Sequence, residues 1–378
     1  MSTSVLNDLL RRLQSNVEVG LPDMAASPMK VPAAGYADTA QYRKEIEEIF
    51  LKVPLLVALS CDVREPGEFL SYDIAGRPIV VMRGDDGVVR TFLNICRHRG
   101  ARLTDEHCGS ARRLTCPYHA WTYDSQGALV GVPGKDSFGE VGATGLVELP
   151  TEERVGAVFA CLDPAATLDL DKWLEGFDES LAMLRLDELH PYRVPTLLDS
   201  PNWKLAADGY LDGYHIGYLH RNTIGRKAVT NRNTYDLFGP HVRVGFATKL
   251  TSSAPEAIEP DALPDYMSLV HYVFPNVSIS GGHGDSLMLS KLLPGATVDR
   301  STTVQFHYFR KPVEGDLLVT AEERRVTYEG VVRDEDCSTI FGINGSLAAI
   351  GDGHFVFGRN EPGNQRLHET IANLTHTA

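Results

Sequence analysis

The spacing of apolar and polar positions changes character along the chain. From 38 to 53, DTAQYRKEIEEIFLKV sets Tyr42, Ile46, Ile49, Phe50 and Val53 at helical spacing, and Asp38 with Gln41 has the form of a capping box. Between 68 and 94 the period shortens. FLSYDI, PIVVMR and VVRTFLNI are β-rich runs broken by Ala75-Gly76 and by Asp86-Gly87, the latter a good hairpin dipeptide. WTYDSQGALVGV continues the pattern and AVFACL at 157–162 closes it, which outlines a small antiparallel β domain. DLDKWLEGFDESLAMLRL then reads as helical. A helix is expected from Trp203 to about Leu219, LVHYVFPNVSIS and TTVQFHYFRKP read as strands, and helical character resumes near Ala321. Strands backed by long helices make the second part α+β. The stretch from roughly 221 to 265 fits neither period. Three segments follow: 1–45, an N-terminal helical segment packed on the larger domain; 46–165, the β domain; and 166–378, the larger domain.

A chain of 378 residues exceeds the size at which one core keeps growing, and 43% hydrophobic residues suffice for two. The net charge of -14 argues against nucleic acid or an anionic membrane as the main partner. The opening MSTSVLNDLLRRLQSN is too polar for a signal-peptide core, and no apolar run approaches the ~20 residues that cross a bilayer. The expectation is a cytoplasmic protein. Its six cysteines, Cys61, Cys96, Cys108, Cys116, Cys161 and Cys337, are too sparse for a disulfide framework. In that setting, closely spaced Cys and His point to metal.

Two such groups stand out. NICRHRGARLTDEHCGSARRLTCPYHAW holds Cys-x-His at 96 and 98 and Cys-x-x-His at 116 and 119. Two thiolates and two imidazoles suit a tetrahedral zinc or a [2Fe-2S] cluster. Arrangement separates them: each loop supplies one ligand of each kind, whereas a zinc finger pairs its cysteines and then its histidines. Farther on, NWKLAADGYLDGYHIGYLHRN carries Asp208, Asp212, His215 and His220. With 100° per residue and Asp212 at zero, they fall at roughly -40°, 0°, -60° and +80°, on one side of a helix. The histidines are then about 140° apart, so a bulge, bend or helix end is expected between them.

CRHRG followed by CPYHAWTYDSQGAL resembles the Rieske signature of ring-hydroxylating oxygenase large subunits, and Asp-x-x-His-x-x-x-x-His resembles the iron motif of the same family. The resemblance implies that 46–165 is a Rieske domain and 166–378 a catalytic domain of helix-grip form. It implies a [2Fe-2S] cluster on Cys96, His98, Cys116 and His119, with Tyr118 and Trp121 beside it and Cys108 and His107 as bystanders. It implies mononuclear Fe(II) on His215, His220 and a distant carboxylate. RDEDCSTIFGINGSL fits the last with Asp336, although Asn344 stands where Gln is usual and Asp334 and Glu335 compete. Asp212 becomes the bridge that passes electrons from His119 of a neighbouring subunit, and Asp208 a polar neighbour of uncertain role.

The function so implied is a terminal oxygenase component. It uses O2 and electrons from a separate ferredoxin or flavin reductase to hydroxylate an aromatic or other small apolar molecule. O- or N-dealkylation is the alternative, and a Rieske electron carrier without oxygen chemistry is the alternative from another class. A homotrimer is expected, with or without a β subunit. No Gly-x-Gly-x-x-Gly follows a strand, so NAD(P)H oxidation is assigned to another protein. Arg90, Arg97, Arg99, Arg102, Arg112 and Arg113 make the cluster region basic, suited either to an acidic donor or to ion pairs. His271 and His307 read as pocket-wall or sheet residues. Asn222, Asn231, Asn233 and Tyr235 read as a cap over the cavity or as plain surface.

Overall fold

The computed structural model describes residues 2–376 apart from 140, 142, 143, 257, 260 and 261. The chain forms two compact units, one of residues 50–172 with 186–188, the other of 1–49, 173–185 and 189–378. The divisions fall at 49/50 and 172/173, several residues beyond 45 and 165.

The smaller unit is built of antiparallel ladders: a five-stranded sheet and two three-stranded sheets. Glu68–Ile74 and Arg77–Arg83 form a hairpin whose two turn residues, Ala75 and Gly76, both have positive φ (50° and 73°). That is the twist a two-residue hairpin needs. Leu55–Leu59 and Ala157–Ala160 are buried at every position, which is why both read as unbroken apolar runs rather than alternations.

The larger unit centres on a seven-stranded antiparallel sheet. Strands Thr234–Phe238, His241–Ala247, Met267–Val273, Val277–Gly281, Ser286–Pro294 and Ser301–Phe309 lie side by side in chain order, and His190–Ser200 joins at the Ser301–Phe309 edge. The edge position explains how His190–Ser200 tolerates Pro191 and Pro195, with its register broken between Tyr192 and Thr196. Helix Ser2–Val19 lays Leu6, Leu9, Leu10 and Leu13 against Met267, Leu269 and Ala247.

Two local expectations are corrected. Asp38 caps helix Thr39–Lys44, accepting from the amides of Ala40 and Gln41, but Gln41 reaches Glu45 and Thr375 instead of returning to Asp38. The helix then widens into a π-turn over Glu45–Phe50, which carries Glu45 inside to 0% exposure. There it accepts from Trp203 Nε1 at 2.9 Å and pairs with Lys204. Helix Trp203–Leu211 also stops short of Leu219: Asp212 is already extended (φ -89°, ψ 118°). The end therefore precedes both histidines rather than lying between them. A Cβ at Gly213 would stand 2.2 Å from Asn233 Oδ1, and one at Gly217 1.8 Å from Thr230 Oγ1. The backbone folds back because glycine alone lets it approach that closely.

Candidate functional site

The two Cys/His loops are copies of one another. Cys96 accepts at its carbonyl from the amide of Gly100 and donates to the carbonyl of Ala101; Cys116 does the same with Ala120 and Trp121. The fourth residue after each cysteine's start is left-handed, Gly100 at φ 76° and Ala120 at φ 58°. Both thiols are buried, and the imidazoles of His98 and His119 stand edge to face at 4.6 Å. His98 is stacked on Trp121 at 4.8 Å, and its buried Nδ1 has no hydrogen-bond partner. A buried, unpaired ring nitrogen beside two buried thiols is costly without a metal, so this set fits an iron–sulfur cluster.

Tyr118 is 60% exposed, and Arg99 lies over its ring at 4.4 Å while donating to His119 Nε2 at 2.9 Å. A residue not anticipated from sequence does more. The hydroxyl of Tyr123 lies 3.4 Å from Cys96 Sγ and accepts from the Arg97 amide at 3.0 Å. Burial, then the contact with Cys96, holds its pKa well above the ordinary tyrosine value, so it keeps its proton for the sulfur. Its place two residues after Trp121 in the strand run was the available signal. Arg90 and Arg102 are engaged by Asp86 and Asp73. His107 contacts the Ser71 carbonyl, outside the cysteine–histidine set.

In the larger unit, residues far apart in sequence meet. His215 Nε2 and His220 Nε2 face each other at 3.1 Å, and Asp336 Oδ1 lies 3.1 Å from the second and 3.7 Å from the first. Among the described residues this trio could hold a metal ion, its ligand atoms lying within 4.8 Å of one another. Each histidine's other nitrogen is taken by a carboxylate: His215 Nδ1 by Asp212 Oδ2 at 2.9 Å and His220 Nδ1 by Glu335 Oε2 at 2.5 Å. These bonds fix the rings so that both Nε2 lone pairs point to one spot, and two imidazoles with one carboxylate suit a non-haem iron with open positions.

A second π-turn, Val331–Cys337, sets Glu335 and Asp336 against the same histidines, whereas Asp334 turns to Arg333 at 2.7 Å. Asp212 is further held by the Tyr214 amide, and Thr223 donates to Glu335 at 2.9 Å.

Cavities flank the trio. One of 290 Å³ is lined by Asp208, Asp212, Asp336, Glu361, Phe355 and Phe357. Burial, with the charges of Asp212 and Asp208, pushes the Glu361 carboxyl up to about 7. The other, of 240 Å³, lies over the sheet and is walled by Tyr210, Phe246, Val270, Met288 and Tyr328. His307 is buried in the sheet next to it, its ring 6.0 Å from Tyr328, and His271 bonds Ser180 instead. Asn233 and Tyr235 do not cap the cavity; both are buried, and Asn233 donates to the Gly245 carbonyl.

A paired-loop cluster site together with a two-histidine, one-carboxylate site defines an oxidoreductase of the Rieske oxygenase class. Residues 53–150 match the Rieske [2Fe-2S] domain, and 186–376, just over half of the chain, match the Ring hydroxylating alpha subunit (catalytic domain). The chain belongs to this ring-hydroxylating alpha-subunit family. It is 28% identical over 356 residues to the carnitine monooxygenase oxygenase subunit of Acinetobacter baumannii, covering 89% of this chain and 91% of that one. It is 32% identical over 225 residues to the glycine betaine monooxygenase oxygenase subunit of Chromohalobacter salexigens, covering 58% of this chain and 49% of the relative. The fold matches a quaternary ammonium Rieske monooxygenase solved with substrate L-carnitine, with a TM-score of 0.78 at 22% identity over 94% and 97% of the two chains. No helix among the described residues is long and apolar enough to cross a membrane.

Proposed function

We propose that this chain is the terminal oxygenase component of a multiprotein monooxygenase that oxidises a small methylated amine. Cys96, His98, Cys116 and His119 hold the cluster; His215, His220 and Asp336 hold the mononuclear iron. When bound, the cluster stores single electrons and the mononuclear iron activates O2. Asp212 and Glu335 orient the two iron-binding imidazoles, and Asp212 is the acceptor facing His119 of a neighbouring copy in a homotrimer. Because Arg99 takes His119 Nε2 within the chain, that bridge forms only as Arg99 gives way. Arg97, Arg112 and Arg113, exposed near the cluster loops, form the docking face for a separate ferredoxin or flavin reductase.

The convergence of His215 Nε2, His220 Nε2 and Asp336 Oδ1 beside the aromatic-walled cavity carries this reading. At 240 Å³ that cavity is below the roughly 300–1,000 Å³ usual for drug-sized ligands. The aromatic side chains of Tyr210, Phe246 and Tyr328 in the lining, with Asp212 and Asp336, favour a methylated ammonium, and none of the described lining residues is Lys or Arg. The named relatives, monooxygenases of glycine betaine and carnitine, agree. The apolar walls of Val270, Met288 and Ile216 keep hydroxylation of a small aromatic ring as the second reading.

The test is a single turnover. Holoenzyme reduced with dithionite is mixed with O2 and a panel of quaternary amines, tertiary amines, aromatic acids and polycyclic compounds. Demethylated amine and formaldehyde support the proposal; ring-hydroxylated product alone transfers the assignment to the second reading; no product and no reoxidation of the cluster rejects both.

A further inference from the structure

Both carboxylate oxygens of Asp208 are taken by groups that line another cavity. Tyr36 donates to Oδ2 at 2.7 Å, His368 Nε2 lies 2.9 Å from Oδ1, and the Tyr36 hydroxyl and His368 Nε2 are 2.9 Å apart. Tyr36 is 1% exposed and His368 7%. Tyr36 packs on Phe355 at 5.1 Å and His368 stacks on Phe357 at 4.8 Å, while Asn364 donates to the Asp208 carbonyl at 2.9 Å. Asp208 faces the 290 Å³ cavity that contains Asp212, His215 and Glu361. Tyr36 and His368 line a cavity of 560 Å³ with Glu45, Lys204 and Gln41. The three hydrogen-bonded residues thus stand between the two spaces, each of which carries ionisable side chains in a largely apolar wall.

Oxidation of a C–H bond by O2 obeys R–H + O2 + 2 e⁻ + 2 H⁺ → R–OH + H2O. The donor protein supplies the electrons, and water supplies the protons. We propose that His368 and Asp208, with Tyr36 as positioning residue, relay those protons from the larger cavity to the one beside the iron trio. This rests on the oxygenase reading above. A neutral imidazole takes a proton on one ring nitrogen and releases one from the other. His368 passes it from Nε2 to Asp208 Oδ1, and the acid so formed opens onto a space with room for several waters at about 30 Å³ each. Burial and the charge of Asp208 hold the Tyr36 hydroxyl well above its ordinary pKa, so Tyr36 remains a donor and keeps Asp208 turned toward His368.

The test is the same single turnover, with the panel compound that the parent converts best, in H2O and in D2O. In His368→Gln the amide still reaches Asp208 but cannot relay. Product formation is expected to slow about 100-fold, with the cluster spectrum unchanged. In His368→Gly, added imidazole is expected to restore most of the rate and the parent's solvent isotope effect. A His368→Gln enzyme with the parent's rate and isotope effect overturns the relay while leaving the oxygenase reading intact. If His368→Gln loses iron, the imidazole experiment decides: recovery supports the relay and failure to recover overturns it. A parent enzyme whose reduced cluster is inert to O2 overturns the oxygenase reading and the relay with it.

Discussion

The two histidine pairs of this chain are held by opposite means. His98 and His119 come from two loops that repeat the same backbone hydrogen bonds, with Trp121 stacked on one ring and Arg99 bonded to the other. His215 and His220 share one loop, and each gives its outer nitrogen to a carboxylate. A centre that only stores an electron benefits from packing that holds its ligands still and from a cation that favours its more negative reduced state. A centre with open positions needs its imidazoles aimed and made basic, which Asp212 and Glu335 do. Similar ligands are therefore assigned different tasks by what touches them from behind.

The strongest way to break this contrast is to remove the oxygen that faces both imidazoles of the proposed iron site. In Asp336→Ala, Glu335 still bonds His220, but the trio loses its carboxylate. We expect two irons per chain instead of three, an unchanged cluster spectrum and no detectable product. Iron analysis with visible spectroscopy checks it, and a variant retaining three irons would show that Glu335 or Asp334 is the ligand.

Asp212→Ala comes next. It leaves Nε2 of His215 in place but frees Nδ1, so turnover driven by the external donor should fall about 100-fold while the cluster remains reducible. Comparison of donor-driven turnover with cluster reduction by dithionite isolates the step; full donor-driven activity would remove Asp212 from the route. Glu335→Gln should do less. The amide can still accept from His220 Nδ1 but without charge, and iron affinity, measured by chelator competition, should weaken about 10-fold. An unaltered affinity would mean that Glu335 merely fills space.

These sites differ just as much in how far the sequence exposes them. The four residues proposed to hold the cluster lie within 24 residues, 96–119, in loops whose backbone bonding is local, so spacing alone brings them together. His215 and His220 are equally visible, but the helix drawn through them is not there, because Gly213 and Gly217 answer to Asn233 and Thr230, contacts that no local period encodes. Choosing among Asp334, Glu335 and Asp336 depends on a π-turn that breaks the usual helical phase. His190–Ser200 is disguised by its prolines, and Thr234–Phe238 with His241–Ala247 by Asp236 and Arg243, which pair across the two strands at 3.0 Å. Tyr36 and His368 meet Asp208 from opposite ends of the chain, where pattern offers no hint.

The mildest change sharpens the contrast from the cluster side. Tyr123 is to Cys96 what Glu335 is to His220, a neighbour that touches the ligand from behind, but it offers a proton where Glu335 offers charge. Reduction adds negative charge that spreads onto the sulfur, so a hydroxyl donating to Cys96 stabilises the reduced state more than the oxidised one. Tyr123→Phe removes that donor while keeping the ring in a fully buried site. A differential of about 1 kcal/mol for one hydrogen bond corresponds to about 40 mV for one electron, so the potential should fall by that amount. Spectroelectrochemical titration checks it, with mononuclear iron content expected to stay at one per chain. A potential unchanged or raised would mean that the hydroxyl serves the Arg97 amide rather than the sulfur, and that the packed surroundings of the cluster act without it.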